Sequence, residues 1–130
     1  MIVVDASAIC AIAFREAEGP AIKLALADAD RAIISPINYW EAMVSITRRE
    51  GEGARLIIEG FLASSEIRIA SIGPDDAFAA FDAWRRFGKT RHRAELNLGD
   101  CFAYALAKSR DLPLLFKGDD FAMTDIRSAL

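Results

Sequence analysis

Five carboxylates stand where an α/β chain has most use for them. Asp5 ends the β-branched run Ile2-Val3-Val4, and Asp119 and Asp120 follow the apolar run Leu114-Leu115-Phe116. Asp100 lies in the first turn of an apolar helical stretch, and Glu41 interrupts another. Each has a plain structural alternative. Asp5 suits a turn, Glu41 an ion pair with Arg48 or Arg49, Asp100 a helix cap, and Asp119 or Asp120 a turn cap. Gathered at one place they demand something else, because two carboxylates ~4 Å apart repel by roughly 4 kcal/mol at an effective dielectric near 20. Such a cluster persists by keeping protons or by taking up a cation. An all-oxygen set suits Mg²⁺ or Mn²⁺.

The same inventory excludes other chemistries. The chain has one histidine, His92, and two cysteines, Cys10 and Cys101. These match no zinc-ligand spacing, and both cysteines read as small core residues in a reducing compartment. A two-histidine acid–base nuclease is impossible, and no nucleophile elbow accompanies His92 for a Ser-His-Asp hydrolase. Asp5-Ala6-Ser7 lacks the second aspartate, two residues on, that an aspartate-based phosphatase would carry. Metal-activated water is the chemistry left to a carboxylate cluster.

The acids depend on the elements that carry them. Ile2-Val3-Val4, Ala32-Ile33-Ile34, Ile67 to Ala70 and Leu114 to Phe116 read as short buried strands. Helices are expected between them. Ser7 would cap one from Ala8 to Phe14, and a Glu-Gly-Pro break precedes one from Ala21 to Ala29. Ser35-Pro36 opens one running to Arg49, another spans Ala54 to Ala63, and Asp75 and Asp76 start one ending at Phe87 before Gly88. The stretch from Asn97 to Lys108 is apolar almost all round, the mark of a buried helix. Short apolar strands alternating with helices argue for a parallel sheet covered on both faces. In such sheets ligands bind beyond the carboxyl ends of the strands, the edge where Asp5, Asp119 and Asp120 fall.

Length and composition agree with this plan. The 130 residues fit one domain, 1–130, with 53% hydrophobic and 27% charged residues. No apolar run is long enough to span a bilayer, and the opening residues carry neither a basic leader nor a cleavage site, so a cytoplasmic protein is expected. The net charge of −3 does not advertise nucleic-acid binding. Yet Arg85, Arg86, Lys89, Arg91 and Arg93 fall together with no acid among them, which suits either a phosphate-binding patch or a solvated loop.

Four stretches resemble a known family. They are Ile2-Val3-Val4-Asp5-Ala6-Ser7-Ala8, Glu41 after Ser35-Pro36, the block from Arg91-His92-Arg93 through Leu96-Asn97-Leu98-Gly99-Asp100-Cys101-Phe102-Ala103-Tyr104, and Leu114-Leu115-Phe116-Lys117-Gly118-Asp119-Asp120-Phe121. In this order they resemble the PIN-domain ribonucleases, and within them the VapC toxins of bacterial toxin–antitoxin pairs. The resemblance covers essentially the whole chain. It implies a three-layer α/β/α fold with a short, mainly parallel sheet of about four or five strands.

It also implies a Mg²⁺-dependent endoribonuclease, Mn²⁺ being a possible substitute, acting on tRNA or other structured RNA. A VapB-type antitoxin would restrain it, and the chain would form a homodimer, with a heterotetramer or larger assembly alongside the antitoxin. Asp5, Glu41 and Asp100 match the family's acids. Some members place the fourth acid where Gly118 stands here, so Asp119 or Asp120 supplies it, with Asp119 preferred. Ser7 and Asn97 match positions that support the acids by hydrogen bonds. Asp5 and Asp100 would be the firmest metal ligands, with Glu41 orienting the attacking water. Arg85, Arg86, Lys89, Arg91 and Arg93 are the candidates for holding the RNA backbone. The alternative is a non-catalytic RNA-binding module of the same shape.

Overall fold

The computed structural model describes residues 1–130. Four parallel strands form one sheet in the order β3-β2-β1-β4, where β1 is Ile2–Val4, β2 Ala32–Ile34, β3 Ile67–Ile69 and β4 Leu114–Leu115. Val3 pairs with Ile33 on one side and with Leu114 on the other. The strands are short, and both ends of the sheet close quickly: β3 stops before Ala70 and β4 before Phe116, each earlier than the apolar runs suggest.

Alternation along the strands sorts their side chains into two cores. Ile2, Val4, Ile34 and Leu115 face one way, into a cluster with α1 (Ala6–Ala13), α2 (Gly19–Asp28), α3 (Pro36–Glu50) and α4 (Glu52–Ser64). Val3, Leu114 and Phe116 face the other way, toward α5 (Pro74–Phe87) and α6 (Leu98–Arg110). The result is the three-layer α/β/α arrangement expected. Each fully buried Ile, Leu or Val contributes about 1.5–3 kcal/mol of hydrophobic stabilisation. On α6 the buried face includes Ala103, Ala105 and Ala107, and these small side chains let the helix lie close against the sheet.

Helix α2 begins two residues before the expected start, at Gly19, because Pro20 is tolerated in a first turn that needs no N–H donor. No helix is long and apolar enough to cross a membrane. Strand β1 has its sequence neighbour β2 on one side and β4 on the other. Its carboxyl end therefore opens a crevice at the point where chain connections diverge, and Asp5 stands there.

Candidate active site

Asp5 is the N-cap of α1, with Oδ2 accepting the Ser7 N–H at 2.9 Å. The sequence pointed to Ser7 as the cap. The two residues are equivalent in capping chemistry, and the strand ends early enough for Asp5 to take the role, so the helix starts at Ala6. Ser7 is thereby freed, and its Oγ accepts the Lys117 N–H at 3.0 Å, which ties the turn after β1 to the segment after β4. The Asp5 side chain is 3% exposed. Burial pushes its carboxyl up to about 6, the charge of Glu41 adds to this, and the hydrogen bonds from Ser7 oppose it.

Asp100 takes the capping role, and the charges of other acids reach it as well. It caps, because its Oδ2 accepts the Asn97 N–H at 3.0 Å while Asn97 Oδ1 accepts the Asp100 N–H at 2.9 Å, a reciprocal box at the start of α6. It also faces the other acids: burial first, then the charges of Asp5 and Asp120, push its carboxyl up to about 6 against the Asn97 N–H. Glu41, half-buried on α3, is raised by burial and by the charge of Asp100. It pairs with neither Arg48 nor Arg49; the Arg49 guanidinium lies 4.1 Å over the Phe14 ring instead.

Asn38 joins these acids. It is fully buried on α3, and its Nδ2 donates to Glu41 Oε1 at 3.0 Å, to the Gly99 carbonyl at 3.0 Å and, at a longer 3.4 Å, to Asp5 Oδ1. Its own Oδ1 accepts from the Ser35 hydroxyl at 2.5 Å, and Ser35 Oγ accepts the Asn38 N–H at 3.0 Å to cap α3. One amide thus spans β1, α3 and α6. The sequence alone does not single out Asn38, because the apolar period of α3 dominates its pattern. The available signal was a polar residue one helical turn before Glu41, on the side expected to be buried.

Gly99 completes the approach of α6 to α3. A Cβ at this position would collide with the Glu41 carboxylate. The backbone at Gly99 is helical, so alanine fits the helix, and the obstacle is the mobile end of a side chain. Gly99→Ala is therefore expected to keep thermal stability within about 1 kcal/mol of wild type while displacing Glu41. A loss of activity of about tenfold should accompany it, measurable beside a melting curve.

Asp119 and Asp120 are both exposed on the turn after β4, where their carbonyls open a 3-10 turn over Phe121–Met123. The charge of Asp120 reaches Asp100 and adds to the upward shift there. Adjacent acids in a tight turn point apart, and the sequence contains nothing to tell which one points inward.

These groups suit a hard cation in donor type and in charge. All donors are oxygens, and none of the chain's ion pairs involves Asp5, Glu41, Asp100, Asp119 or Asp120. No three His, Cys, Asp or Glu side chains stand close enough to make a ready-built metal cage. Asp5 and Asp100 each commit one oxygen to a backbone N–H, which leaves each with a second oxygen for a cation.

The acids also set a pH dependence. In the unfolded chain Asp5 loses its proton near the usual ~3.9; folded, it keeps the proton to about 6. Its ionisation therefore opposes folding. That contribution to stability is whole below the unfolded value and is lost as pH rises through the folded one.

The basic block is divided. Arg85 and Arg86 end α5, while Lys89, Arg91 and Arg93 lie in the loop that a Gly88–Leu96 bridge closes. The expectation of a block without a balancing acid needs correction. Asp125, far along the chain, lies 3.6 Å from Arg86 and 3.2 Å from Lys108, and it accepts a hydrogen bond from Tyr104. Arg86 also stacks over Phe87, and Arg91 over Trp84 while donating to the Arg85 carbonyl. Lys89, Arg91 and Arg93 remain exposed.

The family model for the PIN domain matches residues 2–126. A ribonuclease VapC from Mycolicibacterium smegmatis is 41% identical over 124 residues, spanning 95% of this chain and 96% of that one. The chain belongs to the VapC ribonucleases of the PIN-domain family. Ribonuclease VapC30 of Mycobacterium tuberculosis is another member, 39% identical over 95% of this chain and 95% of its own length. Solved structures share the fold. VapC20 of Mycobacterium tuberculosis, a toxin that cleaves the sarcin–ricin loop, superposes with a TM-score of 0.80 at 18% identity, covering 97% of this chain and 96% of that one. A chain of a toxin–antitoxin complex from Klebsiella pneumoniae gives a TM-score of 0.69 at 23% identity, over 96% and 93% of the two chains. The acids described above therefore sit on a VapC framework along the whole chain.

Proposed function

We propose that this VapC-family chain is a divalent-metal-dependent endoribonuclease toxin that cuts tRNA or another structured RNA in the cytoplasm. The observation that carries the reading is a group of acids that no cation pairs with: one amide joins Asp5, Glu41 and the Gly99 carbonyl next to Asp100, and each of Asp5, Glu41 and Asp100 feels the charge of another. Asp5 and Asp100 would hold the ion, with Glu41 and Asp119 or Asp120 completing the set as their side chains rotate inward. Bound Mg²⁺ or Mn²⁺ would supply an activated water at neutral pH and offset charge on the phosphate.

The chain's own residues do the rest. Ser7 and Asn97 fix Asp5 and Asp100 through backbone N–H groups, so the carboxylates present their other oxygens. Asn38 restrains Glu41 by one oxygen and leaves the second to accept a proton from the attacking water. In-line displacement would leave a 5′-phosphate and a 3′-hydroxyl. Lys89, Arg91 and Arg93 would follow the RNA backbone, with Arg85 and Arg86 behind them.

Two exposed apolar surfaces support partners for the same chain. Phe81, Trp84, Leu98 and Phe102 line a groove of about 480 Å³ between α5 and α6, with Phe78 exposed beside it. This is the candidate face for a second copy. Ile12, Ala13, Ile57 and Phe61 line another groove, about 240 Å³, which suits an amphipathic antitoxin segment.

The test is sequencing of RNA ends after brief expression, with Asp5→Asn as control. New ends at a few discrete sites, absent in the control, are the expected result. Equal ends in both cultures would reject the reading.

A further inference from the structure

Lys117 is the basic side chain tied most directly to the acids, and it lies outside the basic block. Its backbone N–H donates to Ser7 Oγ at 3.0 Å, and the Ser7 N–H donates to Asp5 Oδ2 at 2.9 Å. Two hydrogen bonds thus fix where its side chain starts. At the far end, Nζ stands 2.7 Å from Glu16 Oε2, in the turn after α1. Glu16 Oε2 is buried, and the Lys117 ammonium is the cation that meets it. The two side chains are 38% and 27% exposed, so the ammonium is open to solvent on its outer side. The Glu16 carboxylate raises the amine above its usual range.

An RNA phosphate approaching this edge meets carboxylates on every side. A bound divalent ion offsets part of that charge, and a neighbouring phosphate on the strand needs a cation of its own. Lys89, Arg91 and Arg93 belong to the loop before α6, while Lys117 belongs to the turn after β4, tied through Ser7 to Asp5. An ion pair with both partners partly exposed is a weak hold, and a phosphate oxygen offers the ammonium a competing acceptor.

We propose that Lys117 is a substrate-positioning residue that exchanges Glu16 for a phosphate of the RNA next to the scissile one, with Glu16 as its parking site in the free protein. This rests on the ribonuclease reading above. The inference separates two side chains that a purely structural ion pair would treat alike. Losing Lys117 removes a phosphate contact, whereas losing the Glu16 charge releases the ammonium to the RNA. The backbone bond to Ser7 survives both changes.

The experiment uses Lys117→Met, Glu16→Gln and Lys117→Arg in the full chain. The substrate is an oligoribonucleotide spanning a site that wild type cuts in total RNA. Lys117→Met should raise KM about tenfold, with kcat within about threefold of wild type. Glu16→Gln should lower KM, and Lys117→Arg should restore most of the loss. In an Asp5→Asn background, Lys117→Met should also reduce the salt slope of binding to the same RNA by about one. Wild-type KM and salt slope in Lys117→Met would overturn the proposal while leaving the ribonuclease reading intact. Equal losses in Lys117→Met and Glu16→Gln would do the same, because that is the signature of a structural pair. Wild type failing to cut any RNA would overturn both.

Discussion

Asp5→Asn should lose RNA cleavage by about 10³-fold or more and yet fold more stably than wild type in metal-free buffer at pH 8. Both effects come from one carboxylate. Asp5 is 3% exposed and no cation pairs with it, so its ionised form is costly to fold. The shift of its carboxyl up to about 6 corresponds to roughly 3 kcal/mol held against folding at neutral pH. Asparagine removes that charge and still offers an oxygen to the Ser7 N–H, so the cap on α1 stays. Its NH₂ group then meets the Asn38 amide, which recovers part of the cost, and a net gain of about 1–2 kcal/mol is expected.

The sign changes with pH in a way that isolates the cause. Near pH 4 wild-type Asp5 is already protonated in the folded state, so the advantage of the variant should vanish there. Denaturant unfolding at pH 4.5 and pH 8, on wild type and variant in EDTA, measures this directly. A variant less stable than wild type at pH 8 would show that the ionised acid is compensated in the folded protein. Added Mn²⁺ should reverse the order, stabilising wild type and leaving the variant unchanged.

Asn38→Ala carries the second large effect. The side chain is fully buried, and its amide supplies Glu41, the Gly99 carbonyl and Asp5 at once. Truncation removes one donor from each of those acceptors and leaves the Ser35 hydroxyl without its acceptor, although the backbone cap from Asn38 to Ser35 Oγ remains. A stability loss of about 1–3 kcal/mol follows, a size that most domains survive. Activity should fall by about 10–100-fold, because Glu41 loses the group that fixes it and α6 loses its tie to α3. The loss should fall on kcat rather than KM, since Asn38 is too deep to touch RNA. Wild-type kcat in a folded Asn38→Ala protein would show that Glu41 is placed by something else.

Much of this site was legible in the sequence because strand ends and helix starts are written locally. Asp5 after a β-branched run and Asp100 after Asn97-Leu98-Gly99 needed only the assumption of a parallel sheet to bring them to one edge. Glu41 was visible as a charge on an apolar helix face. What escaped depends on contacts between distant segments. Asn38 looks unremarkable until α6 arrives beside it, and the space at Gly99 has meaning only once Glu41 fills it. Asp125 neutralises part of the basic block from 39 residues beyond Arg86, as the numbering shows. Ser7 and Asp5 compete for one cap, and only the length of β1 decides between them. Asp119 and Asp120 are adjacent in a turn, and the difference between them is one of direction, which composition cannot express.

Acids far apart in the chain are proposed to act together through a divalent ion to cut RNA. The most direct measurement is cleavage of an RNA substrate by the purified chain after EDTA treatment, followed by a titration with Mg²⁺. Cleavage should be absent in EDTA and return saturably with Mg²⁺ in wild type but not in Asp5→Asn. Undiminished cleavage in EDTA, or equal recovery in both proteins, would contradict it.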